Sequence, residues 1–75
     1  MQAEQNARMR FAANLRTRRE ELGVSQEALA HMCGLDRTAV SLLERSRRSP
    51  LLDTVVALAR ALELDSAGEL LDGIG

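Results

Sequence analysis

Residues Ser25 to Glu44 read SQEALAHMCGLDRTAVSLLE, and their punctuation specifies two short helices joined by a tight turn. Ser25 is a residue type that caps helix N-termini, because its side-chain oxygen accepts from a backbone N–H left unpaired in the first turn. Helix formers follow, with Leu29, Ala30 and Cys33 on one face. Gly34 then falls where a helix C-terminus calls for a residue tolerant of positive φ. Asp36 supplies a second N-cap type two residues later, and Val40 and Leu43 are the apolar residues of the next helix. Counted from Gln26, the small Ala30 is fifth, Gly34 ninth, Val40 fifteenth and Leu43 eighteenth. Each place has a steric reason. Ala30 leaves room for only a methyl where two helices cross, Gly34 makes the turn, and Val40 and Leu43 fix the pair onto a core. The expected helices are Gln26–Cys33 and Arg37–Arg45.

Upstream, Ala3 to Leu22 reads as one long helix. Phe11, Leu15 and Leu22, with Ala12 beside them, form an inward stripe, and Gly23 ends it. Arg19 falls on that same stripe, an odd place for a charge. Residues 1–10, MQAEQNARMR, form a helical N-terminal extension whose Arg8 and Arg10 are either solvated or within reach of a phosphate. Downstream, ERSRRSP crowds Arg45, Arg47 and Arg48 into four residues before Pro50. Leu52, Val55, Val56, Ala59 and Leu62 then mark a fourth helix over Leu52–Leu62. Ser66 with Glu69 is a capping box that opens a short fifth helix through Leu71 or Asp72. The expected fold is all-α, a compact bundle of five helices. Leu15, Leu22, Leu29, Ala30, Cys33, Val40, Leu43, Val55, Ala59 and Leu62 are its expected core.

The 75 residues make one domain, 1–75, with a core small enough that a partner chain would help it. Phe11 is the only aromatic, so that core is aliphatic, which suits helix packed on helix. No apolar run approaches the roughly 18 residues of a membrane span, and no signal-peptide layout is present, so the expected location is cytoplasmic. Cys33 is the single cysteine, which excludes an intramolecular disulfide and a cysteine metal framework; it reads as a small core hydrophobe. The single histidine, His31, lies on the outward side of its helix with nothing nearby to make a metal site or a catalytic base. There is no glycine-rich phosphate loop and no Cys–His pair at useful spacing, so no enzyme activity, cofactor, metal or small-molecule ligand is expected.

The net charge of −1 is unevenly spread. Residues 1–48 carry nine arginines against six acidic residues, or +3, whereas residues 49–75 carry Arg60 against five acidic residues, or −4. A basic front and an acidic back fit a face for nucleic acid opposite a face turned away from phosphate.

The four constrained positions, the turn and both caps together resemble the helix-turn-helix of the phage Cro/cI repressors and the Xre-type regulators. The likeness runs from Phe11 to Leu71. It implies a lambda-repressor-like DNA-binding domain whose second and third helices form the motif. The recognition helix 37–45 would lie in the major groove, with its N-terminal residues at base edges. Arg37 is then the leading readout residue, with a guanidinium able to bond guanine O6 and N7 together; gripping a phosphate is the alternative. Thr38, Ser41 and Leu42 complete the groove-facing set, Leu42 either against a thymine methyl or as a plain surface leucine. The resemblance makes Gln26 a phosphate ligand that also braces the recognition helix. It places Arg45, Arg47 and Arg48 on the DNA backbone, and it pairs Arg19 with Glu44 in a buried salt bridge, against the alternative of two solvated side chains. Three positions depart from the family pattern: Ser46 and Glu63 stand where glycine is common, and Leu51 where a capping serine is common.

The resemblance therefore implies a transcriptional regulator, similar to the small controller proteins of restriction–modification systems, bound to double-stranded operator DNA. A DNA-binding antitoxin and a protein-interaction module remain as alternatives. RNA polymerase or a toxin protein are further partners that these readings would bring. One recognition helix covers only a few base pairs, which argues for a homodimer. Leu51, Leu64, Leu70, Leu71 and Ile74 are the expected dimer surface, unless they only finish the core.

Overall fold

The computed structural model describes residues 2–74. Met1, the first residue of the expected extension, and Gly75, the last of the expected domain, lie outside the described residues. Four α-helices follow one another: α1 (Gln2–Glu21), α2 (Gln26–Cys33), α3 (Arg37–Glu44) and α4 (Leu52–Ala61). No strand occurs among the described residues. A single 3-10 turn (Ala67–Leu71) follows, so the described residues form four α-helices and not five. Five residues form too few hydrogen bonds to offset helix nucleation, and Gly73 at φ 83° stops any continuation. Tertiary contacts hold the turn instead. Asn14 Nδ2 donates to the carbonyls of Leu70 and Asp72, both at 2.9 Å. The Glu69 carboxylate accepts from the backbone N–H groups of Asp65 and Ser66.

The core lies where α1 packs on α3, α2 on α3 and on α4, and the 3-10 turn closes over α1 and α4. Leu15, Leu29, Ala30, Val40, Leu43, Val55, Ala59 and Leu62 are buried in it. Leu22 and Cys33 are only half-buried at its edge. The thiol of Cys33 donates to the Ala57 carbonyl at 3.7 Å, and burial pushes its pKa up. On α4 the inward stripe is Val55, Leu58, Ala59 and Leu62, spaced as one helix face requires. Leu52, expected on that stripe, is 74% exposed, whereas Leu58 is fully buried. The segment is apolar on nearly every side, so its pattern fits more than one rotation of the helix.

All four helices end alike. In each, the N–H two residues past the final turn bonds back over five positions: Val24 to Arg19, Leu35 to Ala30, Arg47 to Leu42, and Leu64 to Ala59, at 2.8–3.1 Å. This closure needs a left-handed residue just past the helix. Gly23 (φ 67°) and Gly34 (φ 68°) adopt it without a side-chain penalty. Ser46 (φ 61°) and Glu63 (φ 58°) adopt the same conformation with a Cβ present. The two departures from glycine are thus accommodated as backbone strain, of order 1 kcal/mol each, with the turn unchanged.

Candidate nucleic-acid interface

The α2–turn–α3 unit is fixed on its inner side by fully buried apolar residues. Ala30 is 2% exposed at the crossing, with Val40 and Leu43 beneath α3. Ser25 Oγ accepts the N–H of Ala28 at 3.0 Å and so caps α2. Asp36 stands at the N-cap of α3 in extended conformation, but its side chain makes no cap bond. Leu51 at the N-cap of α4 has no side chain suited to one.

Packing settles which side of α3 is outward. Arg37 and Thr38 are exposed at its N-terminal end, and Ser41 and Leu42 follow one turn later, half-buried. Arg45, Arg47 and Arg48 are exposed just past its C-terminal end. The motif therefore carries one arginine at the start of an outward helix face and three beyond its end.

Behind this face lies a polar cluster around one carboxylate. Glu44 ends α3, where a negative charge opposes the helix dipole, and its side chain has no exposed surface. Arg19 answers it with two bonds, Nε to Oε2 at 2.6 Å and Nη2 to Oε1 at 3.0 Å. The third nitrogen, Nη1, donates to the Val24 carbonyl at 2.8 Å. Gln26 Nε2 donates to Glu44 Oε1 at 3.0 Å, so the side chain that starts α2 is tied to the residue that ends α3. Arg16 Nε lies 3.7 Å from the same oxygen. Burial pushes the Glu44 carboxyl up, but the bonds from Arg19 and Gln26 and the charges of Arg19 and Arg16 outweigh it and hold the group below its ordinary value. The bond to Glu44 in turn raises Arg19. Every buried side-chain polar atom among the described residues has a partner.

The proposed dimer set does not share one surface. Leu51 is 75% exposed, with Leu71 and Ile74 partly exposed. Leu64 is half-buried, and Leu70 is buried in the core at 1% exposure. Leu70 has to be struck from the outer face: with its carbonyl gripped by Asn14, its side chain turns in between α1 and α4. Leu52 joins Leu51 instead. Near them, Phe11, Pro50, Leu71 and Ile74 line a shallow apolar recess.

Three α1 residues with structural contacts were not singled out by the sequence. Asn14 and Arg18 hold the C-terminal segment, Arg18 by donating from Nε to the Leu62 carbonyl (2.9 Å) and from Nη2 to the Glu63 carbonyl (3.3 Å). Arg16 stands at the Glu44 cluster. Their partners are backbone carbonyls or a residue far along the chain, for which local sequence holds no signal; only the one-turn spacing of Asn14 and Arg18 hints at a shared face.

Comparison with known proteins then decides the family, since a model described as helix-turn-helix, HTH_3, matches residues 15–67. The chain belongs to the HTH_3, Xre-type, helix-turn-helix family. A hypothetical transcription factor from Neisseria meningitidis is 48% identical over 59 residues, which are 79% of this chain and 56% of that protein. The chain thus spans little more than half the length of that curated relative. Among solved structures, the restriction-modification controller protein C.AhdI from Aeromonas hydrophila superposes with a TM-score of 0.80 at 40% identity, over 84% of this chain and 94% of its own. The DNA-binding domain of the P22 c2 repressor gives 0.79 at 35% identity, over 87% and 86%. As an HTH_3 member the chain shares its all-helical helix-turn-helix fold with that repressor domain.

Proposed function

We propose that this chain is a sequence-specific regulator of transcription that binds double-stranded DNA as a homodimer, with α3 in the major groove of pseudo-palindromic half-sites. One observation carries the reading: Arg37 and Thr38 stand exposed at the start of a helix whose inner side is locked by Val40, Leu43 and Glu44. A rigid helix presenting its N-terminal side chains outward is the geometry with which helix-turn-helix proteins meet base edges. Arg37 reads a guanine, Thr38, Ser41 and Leu42 complete the contact, and Arg45, Arg47 and Arg48 take backbone phosphates. Gln26 combines a phosphate bond with its bond to Glu44. Likeness to a controller protein and to a repressor domain supports the regulatory role.

In this reading residues 1–75 form one DNA-binding domain, with 1–10 as an N-terminal extension, and the working unit is the homodimer. Two copies meet through the exposed Leu51 and Leu52 at the start of α4, together with Leu71 and Ile74. An apolar contact of this kind, on the acidic half and repeated by a two-fold axis, doubles the reading length. Selection of bound sites from random duplexes, followed by footprinting, tests the reading. The expected outcome is a two-fold symmetric site with half-sites about one helical turn, roughly 34 Å, apart. Failure to enrich any sequence would overturn it.

A further inference from the structure

The cluster around Glu44 carries more positive charge than it needs. Arg19 already meets both carboxylate oxygens, at 2.6 and 3.0 Å, and Gln26 fills a further acceptor position on Oε1. That arrangement is neutral and satisfied. Arg16, one turn before Arg19 on α1, adds a second guanidinium to the same oxygen, at a longer 3.7 Å and through Nε alone. Its side chain is 54% exposed, against 13% for Arg19. Among the described residues Arg16 makes no other ion pair or hydrogen bond, so neither of its terminal nitrogens is engaged by the fold. The two arginines thus hold different posts: Arg19 is consumed by the fold, and Arg16 is a surplus cation at the rim.

Its place gives the surplus a use. Glu44 Oε1 is also bonded by Gln26, the first residue of α2, so the Arg16 Nε and the Gln26 side-chain amide converge on one oxygen. The first-turn N–H groups and positive dipole end of α2 favour an anion at the same rim. Glu44 anchors the Arg16 Nε and leaves its forked end to bond a phosphate by two parallel N–H groups.

We propose that Arg16 is a backbone-phosphate ligand of the bound duplex, forming with Gln26 a second anchor on the motif, separate from the Arg45–Arg48 loop. The proposal rests on the reading of this face as a duplex-binding surface. Because α1 lies outside the groove, the contact adds affinity for any sequence and no base preference. It also links the grip on DNA to the residue that fixes the end of α3.

The test is the salt dependence of duplex binding by the full chain, for wild type, Arg16→Gln and Arg16→Lys, on the selected site and on a random duplex. Loss of one phosphate contact makes the slope of log K against log salt shallower by about 0.9. The proposed homodimer carries two copies of Arg16, so the wild-type advantage over Arg16→Gln should shrink about 12-fold between 50 and 200 mM salt, equally on both duplexes. Arg16→Lys, which keeps a cation but loses the fork, should recover the slope. An unchanged slope in Arg16→Gln would overturn the proposal, whether or not affinity falls, as would a loss confined to the selected site. Thermal midpoints separate a folding defect from a lost contact. A wild-type chain that binds neither duplex would instead sink the DNA-binding reading itself.

Discussion

Arg18 on α1 closes the end of α4: its Nε donates to the Leu62 carbonyl at 2.9 Å while Nη2 reaches the Glu63 carbonyl at 3.3 Å. Both carbonyls lie past the last turn of the helix, where a cation also meets the negative end of the dipole. Hydrogen bonds from a charged donor contribute more than neutral ones. Arg18→Met, which keeps the alkyl packing, should lower stability by about 1.5–3 kcal/mol. Urea unfolding measures this, and an unchanged midpoint would show that water replaces the bonds without loss.

Glu44 should give the domain a distinct acid sensitivity. Its carboxyl is held below its ordinary value in the fold, so its contribution is full above the unfolded carboxyl pKa of about 4.3 and fades as pH falls through the depressed folded value. At pH 7, Glu44→Gln should cost roughly 3–5 kcal/mol, because Arg19 is then left charged and largely buried. The gap between wild type and variant should narrow as pH falls below about 4.5. A gap independent of pH would mean that the charge of Glu44 is not what stabilises the cluster.

Ser46 and Glu63 hold left-handed conformations that glycine adopts freely. Replacing either by glycine relieves strain of order 1 kcal/mol and gives back part of it as unfolded-chain entropy. The expected net gain is about 0.5–1 kcal/mol for each, seen as a rise of roughly 2–8 °C in thermal midpoint. Calorimetry of Ser46→Gly, Glu63→Gly and the pair checks it, and the two gains should add because the sites terminate different helices.

Readout and grip should separate by mutation. Arg37→Ala is expected to relax base preference at one position in each half-site, a loss of about 1–3 kcal/mol of discrimination. Arg47→Ala or Arg48→Ala should weaken all duplexes alike and flatten the salt slope by about one unit per contact. Equal weakening of specific and random DNA by Arg37→Ala would move that residue to the backbone.

Light scattering at micromolar concentration should give about twice the monomer mass, and Leu51→Ser with Leu52→Ser should halve it. A wild-type monomer in solution that remains single on a palindromic duplex would remove the homodimer.

The helices of the motif were legible because each boundary carries its own chemistry: Ser25 caps α2, Gly34 turns, and α3 starts just after Asp36. The outer parts were less so. In α4 the run from Leu51 to Leu62 is apolar on most sides, and local pattern alone does not choose between Leu52 and Leu58 as the inward residue. Leu70 and Leu71 are adjacent and alike in type, and only the Asn14 bonds to that segment determine which one turns inward. Arg19 drew notice as a charge on an apolar stripe, but its partner 25 residues away entered through family resemblance, since no local pattern links them.

Asn14, Arg18 and Arg19 occupy barely two turns of α1, yet between them they touch the 3-10 turn, the end of α4 and the end of α3. An α-helix is a stiff ruler with a rise of about 1.5 Å per residue. In the proposed dimer this ruler sets the reach from Leu71 and Ile74 to the reading helix, whereas Leu51 and Leu52 are tied to that helix through the arginine loop. Altering that loop would thus change both how tightly DNA is held and the permitted spacing between half-sites, while α1 keeps Leu71 and Ile74 at a fixed distance.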